Sequence, residues 1–234
     1  MTHVKRRYDG TARRARAEQL GHLLIDTAWE QFLTDGYAAT TITTVAQACG
    51  VSVESVYRRF PGKAALFRAV VEQALRGEGP VPAEARSDEL PAGDLDTLLR
   101  GWGRLSAEVA PRVAPLLLLV QAAAAHDPEL TDLAQELDHS RRLRMTDNAR
   151  RLALAGHLPP SVSVPQAADL LWTYSSPEIY DLLVQRRGWS LESYQQFIVA
   201  GLTGHLGPGD SPTRDRGPED GAFRSSERGR LSEP

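Results

Sequence analysis

Tyr57, Arg58 and Arg59 stand side by side, and Lys63 follows at the start of the next helix. A tyrosine beside two arginines suits a phosphate: the guanidinium groups bring charge and the phenol a neutral donor. Lys63 adds an ammonium to the positive end of its helix. Thr41 and Thr43 lie where an earlier short helix begins, and the free N–H groups of a helix N-terminus attract phosphate. Chemistry of turnover is not visible. There is no Gly-rich phosphate loop, no paired carboxylates in a turn context and no Ser-His-Asp order with supporting motifs. The six histidines are scattered without metal spacing. Asp132, Glu136 and His139 fall at i, i+4 and i+7 of one helix, but acid-rich helix faces are usually solvated. The residues read as a binder, with no enzyme activity, cofactor or metal expected.

Those side chains need a frame. Residues 41–67 read TITTVAQACGVSVESVYRRFPGKAALF. This is a short helix, a tight turn at Gly50, a second short helix ending in the aromatic-basic cluster, a Pro61-Gly62 break and a third helix opened by Lys63. That order of parts is a DNA-reading helix-turn-helix. Thr41 caps a helix through Ala48, Gly50 supplies the positive φ of the turn, and Ser52 caps a helix over residues 53–59. The following helix runs from Lys63 to about Arg76. Ahead of this unit Leu20, Leu24, Ala28 and Phe32 recur at helical spacing, with Leu23, Ile25 and Trp29 widening the stripe. Gly36 is expected to end that helix as a left-handed cap, covered by Tyr37. Val56, Phe60, Leu66 and Phe67 are expected in the core, and Cys49 as a small buried hydrophobe.

Beyond residue 76 the composition changes. Residues 77–93 are expected to form a linker or partly ordered loop. Helical patterns follow at 94–109, 112–125, 129–156, 165–176, 177–187 and 190–206. Nothing alternates with period two, so the fold class is all-α. The expected division is a basic flexible arm at 1–14, the helix-turn-helix domain at 15–62, a connecting helix at 63–76, the linker at 77–93, a helical ligand-binding and dimerisation domain at 94–206, and a disordered tail at 207–234.

Charge supports the division. Residues 1–76 hold 11 Lys+Arg against 7 Asp+Glu, while the whole chain is at −3. A basic front on an acidic body is expected when only the first domain meets phosphate. A single cysteine excludes intramolecular disulfides and suits the cytoplasm, where the chain would sit on the nucleoid. There is no signal-peptide pattern, and the apolar run Leu116–Ala125, broken by Gln121, reads as a buried helix too short to span a membrane.

Residues 15–70 resemble the N-terminal domain of the TetR family of bacterial transcriptional regulators. The matching pieces are WEQFLTDGYAATTI, VAQACGVS, SVYRRF and PGKAALF with the spacing between them. Residues 165–195 resemble the C-terminal segment of some actinobacterial members. The resemblance implies that Val53, Glu54 and Ser55 reach base edges in the major groove, with Tyr57 on phosphate and Ser52, Arg58 and Arg59 beside them. Valine can touch a thymine methyl, glutamate can accept from cytosine N4, and serine can bond a base or a phosphate. Many members carry Lys-Gly where this chain has Val53-Glu54. The change lowers nonspecific phosphate affinity and gives this chain an operator of its own. Arg58, Arg59 and the arm Lys5-Arg6-Arg7 are positioned to compensate, the arm by entering a flanking minor groove.

The resemblance also implies a homodimeric repressor on a palindromic double-stranded operator, released by a small-molecule effector. An activator, or an effector-independent architectural DNA binder, is the alternative. Independently of family, one helix-turn-helix offers too few contacts for specific binding, so a two-fold dimer is expected. Residues 166–206 carry the apolar stripe for it: Ala168, Leu171, Ile179, Leu182, Leu183, Phe197, Ile198 and Leu202. The alternative is that these residues close their own core. The central helices are apolar enough to enclose a ligand. Candidate lining residues are Trp102, Leu105, Leu118, Met145, Trp172, Tyr174 and Tyr180, with Gln121, His126, Arg142 and Asn148 as polar candidates.

Overall fold

The computed structural model describes residues 10–125 and 128–207. His126, most of the basic arm and nearly all of the tail lie outside the described residues. The first helix shows how the sequence builds the fold. In α1 (Gly10–Ala39) the stripe Leu24, Ala28 and Phe32 is wholly buried. Ile25 and Trp29 pack partly against it, whereas Leu23 turns outward and is 47% exposed. Gly36 breaks the helix at φ 82°, ψ 169°. This is not the expected left-handed cap. It is an extended region with positive φ that only glycine enters at low cost. The break turns Tyr37 back onto Phe32, with ring centroids 5.5 Å apart.

Local signals then set α2 (Ile42–Ala48) and α3 (Val53–Tyr57). Thr41 accepts from Thr44 N, and Thr44 Oγ1 accepts from Thr41 N, each at 3.0 Å, a reciprocal capping box. Gly50 makes the turn at φ 67°, and Ser52 caps α3 by accepting from Ser55 N. The α3 helix stops two residues before the expected end, because Phe60 precedes a proline and is steered away from helical geometry. Then α4 (Lys63–Leu75) begins after Gly62 and buries Leu66, Phe67, Val70, Val71 and Ala74.

The segment expected as a linker is folded. It contains α5 (Ala83–Asp88), which buries Ala83 and Ser87. The Glu108 carboxylate binds both Arg86 and the backbone N–H of Glu78, and so ties the start of the segment and α5 to the helix that carries Glu108. An added Cβ at Gly77 would collide with Glu108, and its φ of 71° disfavours other residues.

The two helices expected at 94–109 and 112–125 are one, α6 (Leu95–Ala124), with Pro111 and Pro115 inside it. Each proline removes one hydrogen bond and crowds the preceding turn. The helix continues because burial on either side outweighs that. Leu98, Leu99 and Trp102 enter one core and Val113, Leu116 and Val120 another. The apolar run Leu116–Ala125 belongs to this 30-residue helix and its C-cap. The most apolar 18 residues of the helix have mean hydropathy 1.3, so the helix as a whole is long and apolar enough to cross a membrane by length and composition alone. In this fold it is the shared axis of both cores.

The remaining body is α7 (Pro128–Leu154), α8 (Val164–Tyr174), α9 (Pro177–Tyr180) running on as a π-helical turn over Asp181–Arg186, and α10 (Leu191–Leu206). Among the described residues there is no strand. The first core joins α1–α4 to the C-terminal half of α6 and to Leu130 and Leu133 of α7. The second joins the N-terminal half of α6 to the end of α7 and to α8, α9 and α10. Two side-chain links, one exposed and one partly buried, reinforce the first junction. Arg68 of α4 forms a two-bond pair with Glu136 of α7 at 2.8 and 2.6 Å, and the Arg112 guanidinium lies 4.9 Å from the Trp29 ring.

Hydrogen bonds from Arg86, Arg68 and Arg144 hold the carboxyls of Glu108, Glu136 and Asp88 below the usual carboxylate range. A depressed folded-state pKa adds stability above the unfolded value and loses it as pH falls through the folded one. Acidification below about pH 4 is therefore expected to lower the urea midpoint. Glu108→Gln should be less stable than the parent at pH 7, with the difference shrinking toward pH 3. A difference that stays constant over that range would show that the charge of Glu108 is not what stabilises the segment.

Candidate DNA interface and ligand cavity

The third helix anchors itself by one residue and displays the rest. Val56 is wholly buried and Phe60 nearly so, while Glu54, Tyr57, Arg58 and Arg59 are exposed. Tyr57 is 53% exposed, far more than a packing tyrosine needs. Val53 is half-buried against the core, which leaves part of its side chain available. Ser55 Oγ lies 3.0 Å from Ser52 Oγ and receives Arg58 Nη2 at 3.1 Å, so three expected contact residues already form one polar cluster. Thr41 and Thr43 are exposed at the start of α2, with Thr41 engaged in its cap. Cys49 is half-buried and lies 3.3 Å from Thr27 Oγ1, a packing position.

Two cations read as phosphate ligands have structural partners. Arg59 reaches back to α1, donating to Ala17 O at 3.2 Å, and its guanidinium fills the space beside Gly21. Lys63 donates to Tyr37 O at 2.9 Å and lies 4.2 Å from the Tyr37 ring centroid. It therefore holds the chain just after the Gly36 break. Lys63→Ala is expected to cost about 1–2 kcal/mol of stability without any DNA present. Thermal melting of the free protein checks this. An unchanged melting temperature together with a flatter salt dependence of DNA binding would return Lys63 to a phosphate role alone.

Behind the reading unit lies a cavity of about 590 Å³. Trp102, Leu105, Met145 and Tyr174 line it, as does Asn148. Leu118 and Trp172 are half-buried and Gln121 exposed, none of them on the cavity; the wall has Leu117 in place of Leu118. The Trp172 ring is instead enclosed by Arg141 and Arg142, at 4.5 and 4.7 Å, and donates to Asp138 Oδ1 at 3.1 Å. Of those two arginines Arg141 lines the cavity and Arg142 points out, toward Asp169 at 3.5 Å. Tyr180 is buried edge-on to Tyr194, and it is Tyr194 that reaches the cavity; burial pushes its hydroxyl pKa up. Sequence reasoning also missed Val71 and Leu75 of α4, and Arg76 just after it, on the wall. Nothing local in the sequence distinguishes a core face from a cavity face. Glu136, once grouped with Asp132 and His139, has its carboxylate engaged by Arg68. Among the described residues no group of three candidate ligands could hold a metal.

The apolar stripe of the last helices divides. Ala168, Leu171, Ile198 and Leu202 are buried in the chain's own core. Ile179 and Leu183 pack partly against that core. Leu182, Trp189, Leu191 and Phe197 face outward with 36–52% exposure. Phe197 meets Tyr174 at 5.8 Å and Trp189 at 6.0 Å, so part of this surface is contiguous.

An all-α chain with a capped helix-turn-helix at one end and a helical body at the other is a DNA-binding transcriptional regulator. Residues 24–70 match the family model described as "Bacterial regulatory proteins, tetR family", so this stretch is similar to that family's DNA-binding domain. The chain is 26% identical over 152 residues to the HTH-type transcriptional repressor BdcR of Escherichia coli K12, covering 64% of this chain and 74% of that protein. Its fold is similar to NalD of Pseudomonas aeruginosa, the secondary repressor of the MexAB-OprM multidrug efflux pump, with TM-score 0.61, 21% identity, and 82% and 98% of the two chains covered. It is also similar to SmeT in its complex with triclosan, with TM-score 0.62, 19% identity, and 79% and 90% covered.

Proposed function

We propose that this chain is a repressor that binds a palindromic operator as a homodimer in the cytoplasm and is released by a small molecule held in the α6–α7–α10 cavity. The observation that carries the reading is the double use of α4. Its first residue, Lys63, holds the backbone at Tyr37 beside the helix-turn-helix, and Val71, Glu72, Leu75 and Arg76 further along form cavity wall. A ligand that displaces the wall moves the helix on which the DNA-reading unit is built. By linkage, ligand and operator then weaken each other equally, typically by about 1–3 kcal/mol. The repressor BdcR as a relative supports the direction of control, and a solved complex of SmeT with triclosan supports a small organic ligand.

Base reading is assigned to Glu54 and Ser55, with Val53 on a thymine methyl and Tyr57, Arg58 and Thr43 on the backbone. Arg59 contributes mainly by fixing α3 to α1. The test is selection of the full chain on a randomised duplex library. A two-fold sequence with half-sites about one helical turn apart is expected. Glu54→Ala should relax one position per half-site by about 1–3 kcal/mol while leaving the others. Recovery of sequences without symmetry, at the same affinity as random duplex, would mean nonspecific binding and sink the operator reading.

A further inference from the structure

The cavity wall is polar in two ways. Its charged side chains come from α4, α5 and α7: Glu72 and, just after α4, Arg76; then Glu84; then Arg141 and Arg144. The walls from α6, α8 and α10 carry no charge and three hydroxyls, those of Ser106, Tyr174 and Tyr194. None of the three makes a hydrogen bond among the described residues. The serine hydroxyls elsewhere on the wall are already used. Ser87 accepts from the Trp102 indole, Ser140 donates to Glu136 O, Ser175 donates to Trp172 O and Ser176 caps α9. Of the three unused hydroxyls, that of Tyr194 is on the most deeply set residue, 1% exposed, while Ser106 and Tyr174 are half-buried. Yet it is not sealed in. Among the described residues the unpaired side-chain atoms shut off from any space a water could enter are Asn148 Oδ1 and Arg112 Nε, not the Tyr194 hydroxyl. The space that Tyr194 borders is the cavity. A phenol so placed has left bulk water and gained no protein partner, which costs about 1–3 kcal/mol that a ligand atom in the cavity would recover.

From this we infer that Tyr194 is a hydrogen-bond donor to the effector, and that the effector presents to it a carbonyl or ether oxygen set in an apolar frame. The inference rests on the effector-site reading above and adds one contact to it. A phenol donates better than it accepts, because its oxygen lone pair is shared with the ring. Burial, with Tyr180 adding to it, pushes the hydroxyl pKa further up, so at neutral pH the proton to be donated is in place. No cation contributes to that shift. A carboxylate docked on the hydroxyl would therefore give up its water without a positive charge beside it. The apolar frame follows from the wall on α6 and α10, where Leu105, Val109, Val113, Ile198 and Leu202 lie. This chemistry holds for the group at Tyr194 alone; the charged side chains of the wall meet other parts of the same ligand. The volume, about 590 Å³, takes a drug-sized molecule.

The test uses three probes that share one ring system: 1-acetonaphthone, 1-ethylnaphthalene and 1-naphthoate. Binding to the full chain is measured by equilibrium dialysis at neutral pH. Tyr194→Phe removes only the hydroxyl and keeps the ring against Tyr180. It should weaken 1-acetonaphthone by about three- to tenfold and leave 1-ethylnaphthalene unchanged or tighter. The free variant should melt no lower than wild type, since no hydrogen bond is lost. Infrared spectra give an independent reading: the carbonyl stretch of the bound ketone should lie lower in wild type than in Tyr194→Phe. Tyr174→Phe, at a half-buried hydroxyl that solvent reaches, should cost less than about twofold. Equal weakening of ketone and hydrocarbon by Tyr194→Phe, an unchanged carbonyl stretch, or 1-naphthoate as the probe most weakened would overturn the donor while leaving an effector cavity in place. So would a ketone affinity that falls with Tyr174→Phe and holds with Tyr194→Phe. No binding of any probe to wild type would remove the small-molecule site itself and the donor with it, and would leave the DNA-binding reading standing.

Discussion

Phe67→Ala is expected to destabilise the protein by about 3–5 kcal/mol, a large share of the roughly 5–15 kcal/mol that holds a typical domain together. Phe67 is wholly buried on α4, with its ring edge-on to Phe32 at 4.9 Å and to Tyr37 at 5.3 Å. Those three rings join α1, the chain after the Gly36 break, and α4. Truncation leaves a cavity in the middle of them and also removes two aromatic contacts. The neighbouring residue gives the contrast. Arg68 makes the two-bond pair with Glu136, but the two side chains are 38% and 50% exposed. Solvent screens such a pair, and its loss is worth about 0–1 kcal/mol. Adjacent residues on one helix thus differ severalfold in what they contribute. Urea denaturation of both alanine variants checks the pair of values. Equal losses, or a loss under 1 kcal/mol for Phe67→Ala, would mean that the aromatic trio is not the joint between helix-turn-helix and body. Because the trio also positions Lys63 over Tyr37, DNA affinity should fall with stability in Phe67→Ala and hold in Arg68→Ala.

The reading unit was legible in the sequence because its determinants are local. Thr41, Gly50 and Ser52 each act within three residues of themselves, and the structure finds each in its expected cap or turn. The charges near it were less legible. Arg59 and Lys63 look like phosphate ligands until their partners are known, and those partners, Ala17 O and Tyr37 O, lie 42 and 26 residues away. Prolines misled for the opposite reason. Pro111 and Pro115 predict a break, but burial of both halves of α6 in two different cores keeps one helix. The cavity was legible as a region and not as a face. Arg141 and Arg142 differ by one step around the helix, both touch Trp172, and only one reaches the cavity. A stripe in sequence gives the buried side of a helix without saying whether packed atoms or open space lies against it. Asn148 is among the polar candidates, and only the folded chain shows that it lines the cavity while Gln121 does not.

Phe197→Asp is expected to convert a dimer to monomers and to weaken operator binding by about 10²–10⁴-fold, because the second half-site contact is no longer intramolecular. The reason lies in how the last helices divide their apolar residues. Ile198 and Leu202 are 2% exposed and serve the chain's own core, whereas Phe197, one position earlier, looks outward and rests on Tyr174 and Trp189. Outward aromatic residues in contact with one another are costly to leave in water, and a second copy of the same surface is the simplest cover for them. An aspartate in the centre of that surface would be buried without a partner in the dimer and solvated in the monomer, so the equilibrium moves toward monomer. Helical content should be unchanged, since Phe197 is not part of the internal core. Leu154→Asp is the control: at 88% exposure near the end of α7 it should affect neither assembly nor binding. Sedimentation and operator titration at several protein concentrations separate the outcomes. If Phe197→Asp stayed dimeric and kept full operator affinity, the dimer would have to form elsewhere, and the exposed cluster on α10 would need another occupant.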